Sequence, residues 1–179
     1  MKARTAELQF AKFIERFQDR ITEEFLEDAF KRRDLFAQSP LGRQMVEDLA
    51  GRILSEFTKN IDKKTGVEYV ADPHVNLGLR CCEDGLSCSE MVRIFILLKR
   101  HIWLFFQESD FAGQPFDVRS IVALNNRTAL FFDRVIYYFL VGYEETKSEK
   151  TSELTRIYSE FLQMVRSDLG MDGTSEEDR

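Results

Sequence analysis

The sequence predicts an all-α protein of about six helices, and three observations carry this prediction. Apolar side chains recur at steps of three and four residues along most of the chain, which is the spacing of one helix face. Only 3 prolines and 9 glycines interrupt the 179 residues, whereas 16 phenylalanines are present to fill a helical core. Residues that favour helix starts stand where the periodic segments begin.

The first two helices are predicted at about Thr5 to Phe36 and from Ser39 to about Asn60. Ser39 suits a helix cap and Pro40 the first helical position. The apolar faces of the two helices consist of Phe10, Phe13, Ile14, Phe17, Ile21, Phe25 and Ala29, followed by Met45, Leu49, Ile53, Leu54 and Phe57.

The third helix is predicted to be short, after a loop over residues 62–75. Asp72 followed by Pro73 indicates a cap and a first-turn proline, and this helix extends to Cys82. Gly85 provides the left-handed residue that favours a helix end.

A fourth helix is predicted to begin at Ser87, because Glu90 follows three residues later as in a capping box. It runs to about Ser109, and residues 110–117 form the next break. The fifth helix is predicted over residues 116–147. Thr151 or Ser152 is expected to cap a sixth helix that ends near Leu169.

The composition narrows the classes of partner. The chain has 25 basic and 31 acidic residues, a net charge of −6, and both nucleic acid and anionic membranes require a basic surface. No apolar run reaches the roughly 18 residues that span a bilayer, and the charged N-terminus does not resemble a signal peptide. We therefore expect a cytoplasmic protein that binds neither nucleic acid nor membrane.

Two segments, residues 85–106 and 129–143, are apolar almost all the way round. Such helices need cover on every side, and in a small domain a second subunit can provide part of it. The sequence therefore predicts a homodimer. The candidate interface residues are Phe131, Phe132, Ile136 and Phe139.

His101 lies on an apolar stripe, and we interpret it as a structural histidine with a local hydrogen bond. A haem ligand and a phosphoacceptor are the alternatives. Lys99 and Arg100 are the opposite charges available to Asp133 if the two apolar helices pack together. The candidate polar core or ligand pocket consists of His101, Asp133, Arg134 and Tyr137.

The remaining residues with reactive side chains do not form a recognisable motif. Cys81, Cys82 and Cys88 are odd in number and lack zinc-ligand spacing, which favours free structural thiols in a reducing compartment. His74 is expected at the surface or near a cap. We predict no catalytic residue, no metal and no cofactor.

The sixth predicted helix has an apolar stripe at steps of three and four residues, close to a coiled-coil seam. Its members are Leu154, Ile157, Phe161, Val165 (or Met164) and Leu169. The opposite face is charged. We interpret this helix as one that transmits a signal, and a helix that merely covers the core is the alternative.

Two local patterns resemble one family. The step "GLSCSEM" (residues 85–91) opens the fourth helix, and "FFDRVIYYFLVGY" carries Asp133 and Arg134 before an apolar run that ends in Tyr143. This order resembles the N-terminal sensory domain of the RsbR/RsbRD group, the regulators known from bacterial stressosomes. The resemblance covers residues 5 to 149.

The resemblance implies a globin-like helical domain without haem that dimerises and passes a signal along its C-terminal helix to an output domain, often of the STAS type. The expected division is then a sensory domain over 1–150, a signalling helix over 151–170 and a disordered tail over 171–179. This chain is either a piece of a longer protein or a stand-alone relative that acts on a downstream regulatory protein. The alternatives are a haem-binding gas sensor and an enzyme acting on an apolar substrate in the helical cavity.

Overall fold

The computed structural model describes residues 2–31, 41–61, 68–109 and 117–168. Within these ranges the chain forms five helices and no strand, which confirms the all-α prediction. The helices are α1 (Lys2–Lys31), α2 (Arg43–Ile61), α3 (Glu68–Glu83), α4 (Cys88–Glu108) and α5 (Val118–Asp168). The predictions for Ser39, Pro40, Leu169 and residues 171–179 fall outside the described residues.

The predicted break between a fifth and a sixth helix is wrong, because α5 is continuous for 51 residues. Thr151 lies inside it and donates its hydroxyl hydrogen bond to the carbonyl of Lys147 at 2.9 Å, so it does not cap a new helix. Ser152 is helical as well. No glycine or proline stands between residues 143 and 168, and nothing in that stretch forces the backbone out of the helix.

The predicted start of α3 is also wrong, because Asp72 and Pro73 lie inside the helix. Pro73 comes five residues after the start at Glu68. Because proline has no N–H, one backbone hydrogen bond is missing near the start of α3. Most of the helix lies beyond this point and keeps its hydrogen bonds.

The corner between α3 and α4 follows the sequence prediction. Gly85 has a φ of +72°, and its N–H donates to the carbonyl of Cys82 at 3.2 Å. The N–H of Leu86 donates to the carbonyl of Cys81 at 2.8 Å, which completes a Schellman motif. Ser87 then caps α4 by accepting from the N–H of Glu90 at 3.5 Å.

The core is aromatic and lies among α1, α2, α4 and α5. Phe10 is fully buried at its centre. The Phe10 ring stacks on Trp103 at 5.5 Å and meets the edges of Phe106 at 5.3 Å and Phe57 at 6.2 Å. Such pairs contribute beyond their buried area, so α1 is fixed against α2 and α4 by ring geometry as well as by apolar contact.

His74 is buried, with only 3% of its surface exposed, so the expectation of a surface histidine is wrong. Its Nε2 lies 3.5 Å from a carboxylate oxygen of Glu56, which joins α3 to α2. Among the described residues, no helix combines the length and the apolar character needed to cross a bilayer.

Candidate functional site

The candidate site is the C-terminal part of α5, which we call the α5 extension and define as residues 151–168. Every described side chain from Thr151 to Met164 is exposed. Among the α5 residues whose burial is described, the last buried one is Thr146, whose hydroxyl donates to the carbonyl of Gly142 at 2.9 Å. The extension therefore continues a helix whose first half is packed in the core.

The base of the extension is fixed by a close crossing of α3 and α5 at two glycines. A Cβ on Gly142 would overlap the carbonyl oxygen of Val75 and lie 3.0 Å from its Cα. A Cβ on Gly78 would overlap the carbonyl oxygen of Phe139. The absence of side chains at both positions is what lets the two backbones come into direct contact.

Two side chains of α5 bind the corner between α3 and α4. The Lys150 ammonium donates to the carbonyls of Cys82 at 3.1 Å and Glu83 at 3.4 Å, where the C-terminus of α3 favours a positive charge. The Tyr143 hydroxyl donates to the carbonyl of Leu86 at 2.9 Å. The extension thus begins directly after Lys150, the residue that binds α5 to that corner.

The exposed surface of the extension is amphipathic. Its apolar members lie on one side at steps of three and four residues, and they are Leu154, Ile157, Tyr158, Phe161, Leu162 and Met164. Arg156 and Glu160 form an ion pair at 2.7 Å. The side chain of Val165 falls outside the described residues.

The polar side of the extension satisfies itself. The hydroxyls of Thr155 and Ser159 each donate to the carbonyl four residues earlier, at 2.9 and 2.8 Å. These two hydroxyls need no further partner, whereas the described apolar side chains face solvent. Large apolar side chains in one exposed row are typical of a surface that binds another protein.

The four predicted pocket residues do not come together. His101 is buried and its Nε2 lies 3.2 Å from a carboxylate oxygen of Asp28 on α1, with the ring edge-on to Phe25 at 6.1 Å. Asp133 lies at the surface and pairs with Lys99 at 3.5 Å, as the sequence predicted.

Tyr137, the third pocket candidate, is 61% exposed and Arg134 is half-buried. A pocket shared by these residues and His101 is therefore wrong. The helix around residues 129–143 turns Asp133 and Tyr137 outward and its phenylalanines inward.

The predicted interface residues are mostly core residues. Phe131, Phe132 and Phe139 are buried within the chain, and Ile136 packs against the same core. They are not available to a second subunit, because α1, α2, α3 and α4 already cover that side of α5. The apolar residues exposed on α4 and the first half of α5 are Ile96, Val118, Ile121, Val122, Leu130 and Tyr137.

The three cysteines form no disulfide, and the surroundings of Cys81 and Cys88 favour the protonated thiol. Burial, with the carboxylate of Asp84 as the next cause, raises the pKa of Cys81 to about 11. Burial and the carboxylate of Glu144 raise the pKa of Cys88. Since the thiolate is the nucleophile, these thiols are poor candidates for catalysis.

No group of three or more His, Cys, Asp or Glu side chains is placed to hold a metal ion in the described ranges. Comparisons of the chain with protein-family models, with curated protein sequences and with solved structures found no match. The function is therefore argued from the geometry of this chain.

Sequence reasoning did not single out three residues that position the extension, namely Gly78, Gly142 and Lys150. An isolated glycine inside a helical pattern does not by itself indicate a close crossing, since Gly51 has the same pattern and open space around it. Lys150 gave no signal, because its partners are backbone carbonyls that are 67 and 68 residues away in sequence.

Proposed function

We propose that this chain is a non-enzymatic regulatory module in which the α5 extension is the output element. The packed helices form the sensing body, and the extension pairs with that of a second copy and acts on a downstream regulatory protein or output domain. The observation that carries this proposal is the continuity of α5, which packs in the core up to Thr146 and is exposed at every described side chain beyond it.

The need for a partner follows from helix energetics. An isolated helix shorter than about 12–15 residues is marginal in water, and most helical stability in proteins comes from packing of the apolar face. The extension is only slightly longer than that limit, and the described side chains of its apolar side are exposed. A partner that covers Leu154, Ile157 and Phe161 would supply the missing packing.

Parallel pairing with a second copy suits the charges. In a heptad with Leu154 and Phe161 at a and Ile157 and Met164 at d, Glu153 and Glu160 take the g positions. Antiparallel pairing would place these carboxylates next to each other across the interface. Parallel pairing keeps them apart, so the homodimer that we propose is parallel.

The resemblance to the RsbR/RsbRD sensory domains supports the same proposal, and with it a globin-like arrangement of the helices. The exposed apolar residues Ile96, Leu130 and Tyr137 replace the buried phenylalanines as candidates for contact between the bodies of the dimer. Free cysteines suit the reducing cytoplasm that we propose as its location. Each of the two histidines binds a carboxylate, and this pairing favours a structural role over haem ligation.

The proposal is tested by the molecular mass in solution of the Leu154→Glu/Phe161→Glu variant. Two carboxylates on the apolar side should convert a dimer to a monomer at tens of micromolar, because they would be buried without partners. Ser159→Glu/Gln163→Glu adds the same two charges to the polar side and should leave the dimer intact. A monomeric parent, or a dimer that survives the first pair of changes, would contradict the proposal.

A further inference from the structure

A cleft of about 980 Å³ lies between α1 and α2, on the side of the molecule that the proposed function does not use. Gly51 forms part of its floor, and a Cβ there would meet only the Nε2 of Gln18, at 3.6 Å. The glycine therefore leaves space and is not required by close packing.

The cleft carries an excess of negative charge. Asp19 and Glu23 from α1 and Glu47 and Asp48 from α2 line it, against the two guanidinium groups of Arg43 and Arg52. Asp19, Glu23 and Glu47 form no ion pair within 4 Å in the described part of the chain. Like charges that share a cleft without partners favour the binding of a cation.

Thr22 is a second, independent sign of a ligand. It lines the cleft with only 7% of its surface exposed, and its hydroxyl makes no hydrogen bond to any described group. Elsewhere, helical threonine hydroxyls donate to the carbonyl three or four residues earlier, as in Thr58, Thr128, Thr146, Thr151 and Thr155. A buried polar group without a partner requires an explanation, and a ligand N–H in the cleft would provide one.

We propose that this cleft binds a linear aliphatic diamine, with its two ammonium groups on the carboxylates and one N–H on the Thr22 hydroxyl. From Gln18 to Leu26 the cleft follows eight residues of α1, about 12 Å, which accommodates a four-carbon diamine. Four carboxylates and two guanidiniums leave a net charge of −2, which a dication neutralises.

An extended dication fits better than the two other simple ions. The described carboxylates do not converge on one point as metal ligands would. Arg43 and Arg52 are nine residues apart on α2, about 13.5 Å along its axis, and so are poorly placed to share one phosphate.

The test is calorimetric titration of the full chain with 1,4-diaminobutane at constant ionic strength. Glu23→Gln/Glu47→Gln should weaken binding at least about tenfold, because two charge-assisted contacts are lost. Glu108→Gln/Glu149→Gln removes two exposed carboxylates far from the cleft and is the matched control, with binding expected within about twofold of the parent.

A second variant keeps every charge. Gly51→Leu fills the floor of the cleft and should abolish binding while the circular dichroism spectrum stays helical. Absence of binding by the parent up to about 10 mM diamine would overturn the proposal. Equal weakening in the control pair, equal affinity for butylamine, or displacement of the diamine by equimolar magnesium chloride would overturn it as well. The α5 variants used to test the proposed function leave this cleft intact, so the two proposals fail separately.

Discussion

At the scale of single residues, the two histidines act as links between helices. His101 of α4 binds Asp28 of α1 at 3.2 Å, and His74 of α3 binds Glu56 of α2 at 3.5 Å. Each imidazole is buried, so each pair replaces hydration with a directed contact between elements distant in sequence.

The first prediction concerns His101→Ala. The variant should lose about 1–3 kcal/mol of unfolding free energy, because Asp28 loses its partner and the buried ring leaves a cavity. Lys99→Ala, on the same helix but in an exposed pair with Asp133, should lose at most about 1 kcal/mol. Urea denaturation measures both. Equal losses would contradict a structural role of His101.

The second prediction concerns Cys81 and alkaline pH. Burial raises the pKa of this thiol from 9.0 to about 11, so between these values the folded chain holds a proton that the unfolded chain has released. The unfolded state then binds fewer protons, and stability falls as pH rises through this window, by at most about 1.4 kcal/mol per pH unit. Cys81→Ala should show a shallower fall in denaturation midpoints from pH 9 to 11. A slope identical to the parent's would refute it.

At the scale of the elements, the crossing of α3 and α5 depends on the absence of two side chains. The third prediction is that Gly142→Ala destabilises the fold by about 1–3 kcal/mol or more, because the added Cβ overlaps the backbone of Val75. Gly51→Ala is the matched control. Its Cβ meets no backbone atom, and the gain in helix propensity should stabilise the protein by about 0.5–1 kcal/mol. A thermal melt in which both variants behave alike would contradict this account.

The fourth prediction concerns the extension itself. A chain that ends at Thr151 keeps Lys150 and its bonds to the α3 C-terminus, and every described side chain that it loses, from Ser152 to Met164, is exposed. Its melting temperature should fall by less than about 5 °C at concentrations where the parent is monomeric. A fall of tens of degrees in circular dichroism melts would assign the extension to the core.

The helices themselves followed from periodicity and caps, because those signals are local in sequence. The start of α3 and the continuity of α5 did not follow from these signals. A proline near a helix start is tolerated inside a helix, and so is a threonine whose hydroxyl donates back to a carbonyl. The amphipathic side of the extension was visible in the sequence.

The contacts across the fold were not predictable in the same way. His101 and Asp28 are 73 residues apart. In a segment as apolar as 129–143, hydrophobicity alone does not identify the side that faces the core. The sequence therefore identified the phenylalanines as important, but assigned Phe131, Phe132 and Phe139 to an interface when they fill the core.

At the scale of the whole molecule, a long helix projects from a packed body. The 51 residues of α5 span about 76 Å. A compact globular protein of 179 residues has a radius of gyration of only about 16 Å. The fifth prediction is a maximum dimension of at least about 76 Å in small-angle X-ray scattering. Ending the chain at Thr151 should shorten α5 by about 25 Å. A parent no longer than that shortened chain would mean that the extension folds back.

The glycine crossing gives this arrangement a mechanical consequence. From Gly142 to Asp168 the helix runs 26 residues, about 39 Å, without glycine or proline to absorb a bend. A rotation of α5 at the crossing would then move the whole segment beyond Gly142 as one rigid helix. A tilt of about 5° there would move the backbone at Lys150, about 12 Å along the axis, by only about 1 Å, but would carry the tip about 3 Å sideways.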